Sequence, residues 1–534
     1  MSLLTDHLII APVALPLLAG AVALLLDRAD GHASARVRAL GLAATFAGVV
    51  QAVVLLAHAD TGAVETYLLG NWPAPFGIVF VLDRLSAMMV ALTSVIALAA
   101  LLWAVAGEDR TGAHFHALFQ FQLAGLNGAF LTGDLFNLFV FFEVLLIASY
   151  GLLLHGGGRA RLRAAVHYVA FNLAGSALFL IAVALLYSVT GTLNMADLAG
   201  KVSALAGTHA VVAQIAGALL MVVFAIKAAL LPLYFWLPAT YGSASTSVAA
   251  LFAIMTKVGI YAMLRVTTLI FGDGGGEAAR LAEPLLPVLA MLTLIVATFG
   301  ALGAERLRVM IAYAIIASAG TLLTAFGIGQ PSTIAAGAFY LVNTTVVTAA
   351  LFLLAHWIRL RRQQADDRCT GQPDYPGRLG LGTLYFVLAI AAAGLPPLAG
   401  FLGKALVLQA AWPTALGGWV FAAILGSGLL MVVAFARFGI TLFWECHGEA
   451  HRAADASSDG SITAAPPTGE RAGFTLLLLL AFAAAVFAGR IGEYAQALAA
   501  QLVARQPYID SVRQKQPAPP AWDVRKEMRE RGGK

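Results

Sequence analysis

Apolar residues in this chain come in long unbroken runs, not in alternation with polar ones. Runs of about 20 residues, the length a helix needs to cross a bilayer's hydrocarbon, follow one another from residue 7 to residue 490. About fourteen are predicted: 7–26, 37–58, 82–106, 113–132, 134–155, 162–190, 208–236, 245–271, 281–303, 306–329, 331–359, 380–412, 416–445 and 471–490. A membrane barrel would alternate lipid-facing and lumen-facing positions, so the pattern predicts an all-α, polytopic bundle. The first run is too long for a secretory signal's apolar core and has no basic segment before it, so it reads as a span that is retained. Between the second and third runs, TYLLGNWPAPFGIVFVL (Thr66 to Leu82) holds two β-prone pieces punctuated by Gly70, Asn71, Pro73 and Pro75. That predicts a short extracytoplasmic hairpin.

Composition sharpens the reading. Of 534 residues 60% are hydrophobic and 11% charged, against about a quarter charged in soluble domains. The formal charge of +5 would suggest nucleic acid in a soluble protein, but the arginines cluster at span ends. Arg28, Arg36 and Arg38 follow the first span, Arg159, Arg161 and Arg163 the fifth, and Arg359, Arg361, Arg362 and Arg368 the eleventh. The excess of positive charge marks these loops as cytoplasmic, which places the N-terminus outside and, after fourteen spans, the C-terminus outside as well. The basic tail, RQKQPAPPAWDVRKEMRERGGK, argues for the opposite side. Cys369 and Cys446 have no CxxC spacing and read as free thiols. GDGGGE (Gly272 to Glu277) lacks the strand and helix that a nucleotide loop requires. Neither a metal cluster nor a hydrolase triad is legible, so no metal or cofactor is expected.

Two spans are interrupted. Pro232 and Pro238 break IKAALLPLYFWLP and free the carbonyls of Ala228 and Tyr234; Pro396 and Pro397 break AAAGLPPLAGFLGK and free Ala392 and Ala393. Each break lies within about two turns of a lysine, Lys227 or Lys404. Broken seventh and twelfth spans predict two inverted five-helix repeats with discontinuous helices, of the kind that carry ion sites near the membrane midplane. The expected divisions are 1–112 (three spans and the hairpin), 113–271 and 281–445 (the repeats) and 446–534 (a loop, the last span and a polar tail).

Glu143, in GDLFNLFVFFEVLLIASYGLLLH, sits about 13 Å beyond Asp134 at the helix mouth and so near mid-membrane. Lys227, Lys257 and Lys404 are likewise flanked by apolar residues on both sides. Each such charge costs about 2.5 to 3.5 kcal/mol at a helix centre, so the four are expected to face the bundle interior. Lysines near a helix end can instead snorkel to the interface, whereas a glutamate is too short. One carboxylate and three amines have the physics of a proton path: burial disfavours the charged form, pairing favours it, and moving one partner switches the other. A static ion pair that orders the bundle is the plainer reading. His114, His116, His155, His209 and His356 fall at span ends and suit interfacial roles. His167 is more interior; with Tyr168 and Asn172 it is expected to bond a neighbouring helix and is a possible relay, while Gln120 and Gln122 suit helix-to-helix bonding alone.

GDLFNLFVFFEVLLIASYGLL, IKAALLPLYFWLPATYGSASTSVAALFAIMTKVGIYAMLR, ERLRVMIAYAIIASAG and AGLPPLAGFLGKALVL together resemble the proton-conducting core of the Mrp/Sha/Pha multisubunit monovalent cation/proton antiporters. The D-type subunit is the nearest match within that family, and it is related to the antiporter-like subunits of respiratory complex I. The resemblance implies a switchable pair, Glu143 and Lys227, a central relay, Lys257, and an exit-side group, Lys404. It also implies a bacterial inner membrane, exchange of protons for Na⁺ or K⁺, and partner subunits, one large and A-type, the others small and hydrophobic. Where family members often carry His and Lys in the eleventh span, this chain has Thr344 and Thr348, and Ala317 and Ala319 flank Ser318 where Gln is common. Hydroxyls can pass a proton but cannot hold its charge, so Thr344 and Thr348 are possible relays and water would have to fill the rest. The alternatives are a proton-pumping arm of a complex I-like oxidoreductase or membrane hydrogenase, and a scaffold that conducts nothing.

Overall fold

Helices begin where a polar residue stands at the mouth of an apolar run. Ser34, Asp83, Asp134 and Asn194 each accept a hydrogen bond from a backbone N–H of the first turn, and Asp83 and Ser86 close a reciprocal capping box. The chain is described by a computed structural model at residues 7–27, 33–281, 285–371, 375–445 and 465–517. Arg28, Cys446 and the basic end of the tail lie outside the described residues.

The elements are α1 (Ala11–Leu26), α2 (Ala35–Asp60), the strands β1 (Glu65–Leu68) and β2 (Val79–Leu82), α3 (Arg84–Ala104), α4 (Phe115–Leu131), α5 (Leu135–Leu154) and α6 (Arg159–Thr190). Next come α7 (Met195–Ser203), α8 (Gly207–Ala228), α9 (Trp236–Ser243), α10 (Thr246–Phe252) and α11 (Met255–Leu269). The second half has α12 (Leu286–Gly303), α13 (Leu307–Ile328), α14 (Pro331–Arg362), α15 (Arg378–Ala393), α16 (Ala399–Ala411), α17 (Gly417–Phe443), α18 (Thr468–Val486), α19 (Ala488–Val503) and α20 (Gln506–Arg513). The strands pair antiparallel with Glu65 opposite Leu82, as the hairpin reading expected.

Among the described residues eleven helical segments are long and apolar enough to cross a membrane, Thr246–Leu269 taken as one; Ala11–Leu26, Arg378–Ala393 and Ala399–Ala411 are shorter apolar helices. Burial separates axis from periphery. The most apolar window of Thr246–Leu269 is 100% buried and that of Pro331–Arg362 94%, against 28% in Ala35–Asp60. Thus α10, α11 and α14 form the enclosed axis, and α2 lies at the rim.

Three features depart from the sequence reading. The span expected at 245–271 is interrupted: α10 stops at Phe252, and Ala253 and Ile254 bond three residues back, to Ala250 and Leu251. Neither proline nor glycine marks that break. The segment after the last span is not merely a polar tail, because α19 packs on α3, α11 and α14 while α20 packs on α7 and β1. Gln501 accepts from Arg84 N at 2.9 Å, Ser511 Oγ lies 2.8 Å from Thr66 Oγ1, and Arg513 meets Asp197 at 3.1 Å. His7, at the other end of the chain, reaches the Tyr67 hydroxyl at 2.9 Å. Both described ends therefore lie at the hairpin end of the bundle, which requires an even number of crossings between them. Finally, His116 and His155 are buried at the opposite end, not interfacial; His116 Nε2 lies 3.1 Å from Asp109 and His155 Nε2 3.1 Å from the Glu108 carbonyl.

Two buried clusters hold the ends. At the hairpin end Arg265 grips Asp83 with both terminal nitrogens, at 2.6 and 2.8 Å, while the ring of Tyr508 covers the guanidinium at 5.1 Å. Removing one member of such a buried pair leaves the other charge uncompensated. Arg265→Ala is expected to destabilise the solubilised protein by about 3 kcal/mol and to release α19 and α20 to protease, read by thermal unfolding and limited proteolysis. At the other end burial opposes ionisation of Asp109, yet hydrogen bonds from His116 and Arg38, with their positive charge, hold it below the usual carboxylate range. A depressed carboxylate contributes stability above its unfolded value and loses it as pH falls through the folded one. Stability should therefore drop on acidification below about pH 4, and Asp109→Asn should flatten that part of the pH profile.

Candidate functional site

The interruption after α8 begins with Ala229, which adopts a left-handed conformation (φ 57) that is uncommon for a residue with a Cβ. Neighbouring elements satisfy the opened backbone: Trp236 Nε1 donates to the Ile226 carbonyl at 3.1 Å, and Leu231 N donates to Thr293 Oγ1 of α12 at 2.9 Å. Close approach of α11 depends on Gly259, where a Cβ would stand 2.6 Å from Ala228 N. The helix of Lys257 thereby packs directly on the end of the helix that carries Lys227.

Glu143 and Lys227, which the sequence reading took as a switchable pair, are not in direct contact in this structure. They meet through α6. Ser176 Oγ donates to the half-buried Glu143 carboxylate and lies 3.0 Å from the Asn172 carbonyl one turn away, and Asn172 Oδ1 accepts from Lys227 Nζ at 3.1 Å. The Lys227 ammonium also stands 5.7 Å from the centroid of the Phe142 ring. A cavity of about 10 Å³, roughly one water in size, is lined by Lys227, Asn172, Tyr168 and Trp236, with Met255 and Val258 of the Lys257 helix on its far wall.

Lys257 is fully buried, and its ammonium donates to Thr256 Oγ1 and Ser318 Oγ, both at 3.3 Å. Lys404, on α16, donates at 2.6 Å to the carbonyl of Ala393, one of the two that Pro396 and Pro397 were expected to free. Gly394 ends α15 there at φ 80. Among the described residues no carboxylate lies within ion-pair distance of Lys227, Lys257 or Lys404, and no group of three or more His, Cys, Asp or Glu could hold a metal ion.

The other candidates divide. His167 is exposed and bonds back to the Arg163 carbonyl at 3.0 Å, so it faces away from the axis, contrary to the interior place expected for it. Asn172, grouped with it in the sequence reading, is the residue that enters the site. Thr344 is buried beside the Tyr340 hydroxyl, whereas the Thr348 hydroxyl donates to the Thr344 carbonyl at 2.7 Å and is held on its own helix. Gln120 bonds Thr45 and the Gly41 carbonyl, the helix-to-helix role expected of it. Sequence reasoning missed Ser176 and Tyr340. The signal for Ser176 was its place one turn beyond Asn172 on the same helix face.

An interrupted-helix bundle with lysines along its interior and a half-buried carboxylate linked to the first of them is the architecture of an antiporter-type membrane subunit. The chain belongs to the NADH:quinone oxidoreductase/Mrp antiporter transmembrane family, whose signature it matches over residues 132–430. It is 43% identical over 472 residues to the probable K⁺/H⁺ antiporter D subunit of Rhizobium meliloti (strain 1021), covering 82% of this chain and 87% of that one. With the Na⁺/H⁺ antiporter D subunit of Alkalihalophilus pseudofirmus it shares 38% over 450 residues, with the same coverages. A chain of the Mrp complex from Dietzia sp. DQ12-45-1b superposes with a TM-score of 0.81 at 28% identity, over 96% of this chain and 99% of that one. A chain of Thermus thermophilus respiratory complex I gives 0.72 at 27%, over 93% and 99%. The resemblance to D-type antiporter subunits is borne out.

Asn172 is the sole side-chain acceptor of the Lys227 ammonium among the described residues, and a hydrogen bond to a charged group contributes about 1.5 to 3 kcal/mol. Asn172→Ala is expected to slow proton-coupled cation exchange about tenfold in vesicles containing the whole complex, with assembly unchanged.

Proposed function

We propose that the chain is the proton-translocating, D-type subunit of a multisubunit Na⁺ or K⁺/H⁺ antiporter, a secondary transporter subunit and not an enzyme, in a bacterial inner membrane. The observation that carries this is the link from half-buried Glu143 through Ser176 and Asn172 to buried Lys227, with the helix of Lys257 packed on it at Gly259. Relatives named as Na⁺/H⁺ and K⁺/H⁺ antiporter D subunits support the same reading.

Glu143 and Lys227 act as a pair coupled through α6 amide and hydroxyl groups. When the carboxylate is neutralised, the ammonium loses the field that favours its charge and releases a proton toward Lys257. Lys404, held by Ala393 O at the broken α15/α16 span, is the exit-side group. The breaks at Pro232 and at Pro396 and Pro397 open the backbone at these lysines and let the axis admit water, whereas Pro238 breaks nothing: it lies in the first turn of α9, and the Tyr234 carbonyl accepts from Leu237 N at 3.0 Å. Fourteen spans follow if Ala11–Leu26, Phe115–Leu131 and the α15/α16 pair each cross, which gives the even count that the two ends require. Residues 113–271 and 281–445 are the inverted repeats, each with a proline-marked interruption in the fourth span, the first with a further one between α10 and α11. The arginine-rich loops face the cytoplasm, so the hairpin and both described ends face outside. Small hydrophobic subunits and a large A-type subunit are its partners. The cation takes a route outside the described acids of this chain.

Similarity to a complex I chain favours one rival, a proton-pumping arm driven by redox chemistry elsewhere. Purifying the native complex separates the two: co-purifying flavin or iron-sulfur clusters would overturn the antiporter reading. Glu143→Ala and Lys227→Ala are each expected to abolish proton-coupled Na⁺ or K⁺ exchange, driven by an imposed pH gradient, in an assembled complex. Full exchange in both variants would refute the mechanism.

A further inference from the structure

Between Lys257 and Lys404 the described residues offer no titratable cation to hold a proton in passing, and the cavity there carries the hydroxyl residues Thr298, Ser318, Thr321, Tyr340 and Ser427 among apolar ones. We infer that Tyr340, with Ser318 and Thr321, carries the proton across this gap; the inference rests on the reading of the chain as a proton-translocating subunit. Lys257 Nζ lies 3.3 Å from Ser318 Oγ. Thr321 stands one turn further along α13, and the hydroxyl of Tyr340 on α14 lies against those of Thr321 and Thr344. A cavity of about 20 Å³ is bordered by Ser318, Thr321, Tyr340, Lys404 and Ser427, enough for a water to join them.

Two further observations point into that cavity. The hydroxyl of Ser427, on α17, is buried on its wall and has no hydrogen-bond partner among the described residues. A buried hydroxyl without a partner is costly unless something in the cavity answers it. Tyr340 is also held against the helix of Lys404, because a Cβ at Gly403 would stand 3.0 Å from its ring. The phenol cannot swing away from the lysine without repacking α14 on α16.

Transfer balances without any co-reactant. The Lys257 ammonium gives a proton to the Ser318 oxygen as Ser318 turns its own hydrogen away from the Ile315 carbonyl, 2.7 Å off, and into the cavity. Each oxygen in turn accepts on one lone pair and releases its own hydrogen on the other side. Lys257 ends as a neutral amine, Lys404 ends as an ammonium, and every hydroxyl regains its starting composition. Thr348 takes no part, since its hydroxyl is turned back to the Thr344 carbonyl and does not border the cavity.

The test measures cation-dependent proton flux in vesicles containing the whole antiporter complex. Tyr340→Phe keeps the ring and is expected to cut flux by at least about tenfold at unchanged assembly. Thr321→Val, near in shape, is expected to give a smaller loss with an increased solvent deuterium isotope effect. Replacing Tyr340 by 3,5-difluorotyrosine keeps hydroxyl and packing but makes the phenol more acidic, and should shift the pH profile of flux; a packing role would leave it in place. Unchanged flux in Tyr340→Phe, or an unshifted profile in the fluorinated protein, would overturn the inference. Lys227→Ala run alongside separates the two levels. Normal flux there removes the translocation reading itself, whereas its loss together with normal Tyr340→Phe flux removes the relay alone.

Discussion

An ammonium group in the most enclosed span of the bundle, with two hydroxyls and, among the described residues, no carboxylate to answer it, sets the terms for everything around it. Lys257 is fully buried, and among the described residues its ammonium bonds Thr256 and Ser318. Charge so placed is expensive in an apolar medium, and dipoles of this kind compensate it only partly. In the proposed mechanism this group gives a proton up and takes one back, and its neighbours frame it on every side. The α10/α11 interruption lies just before it, Gly259 brings the Lys227 helix into contact, and a cavity carrying hydroxyl residues among apolar ones opens beyond Ser318.

Glu143 and Lys227 are held apart by one helix, and that separation is mechanically useful. In a directly paired buried salt bridge, neutralising one partner leaves the other charge uncompensated at a cost of about 3 to 5 kcal/mol. With Ser176 and Asn172 between them, the carboxylate and the ammonium influence each other through the field and through a shared hydrogen-bonded frame. Loss of the negative charge then alters Lys227 without any helix having to move far. Glu143 is half-buried, beside the exposed Val140 and Ile147 of the same helix, so the carboxylate lies near the outer surface of the bundle.

The hairpin end is closed by chain that follows the last span. Tyr508 covers Arg265, which is locked to Asp83 two turns along α11 from Lys257. The same guanidinium thus fastens the start of α3, the end of the central span and the returning α20. At the opposite end Glu108 caps α10 through the N–H groups of Thr246 and Ser247, at 2.6 and 2.9 Å, so the short first half of the broken span is fixed from outside.

Much of this was readable from residue order. Continuous apolar runs demand helices because a bilayer offers no partner for backbone groups, and charges inside those runs must face inward for the same reason. Pro232 and Pro396/Pro397 announce their breaks because a missing N–H and a ring clash act locally. The break at Ala253 and Ile254 left no such mark. It lies where α10, packed on α3 and α14, gives way to α11, packed on α8, and those partners are distant in sequence. Likewise His167 and Asn172 differ by little more than one turn, yet one faces out and the other meets Lys227. The sequence by itself determined the helices, the buried charges and the proline breaks, because each follows from short-range sterics or from transfer out of water. Only the tertiary structure decided that Glu143 reaches Lys227 through Ser176 and Asn172, that Tyr340 stands in the gap before Lys404, and that the tail folds back over Arg265. Those contacts join residues tens to hundreds of positions apart, and their geometry depends on how whole helices pack.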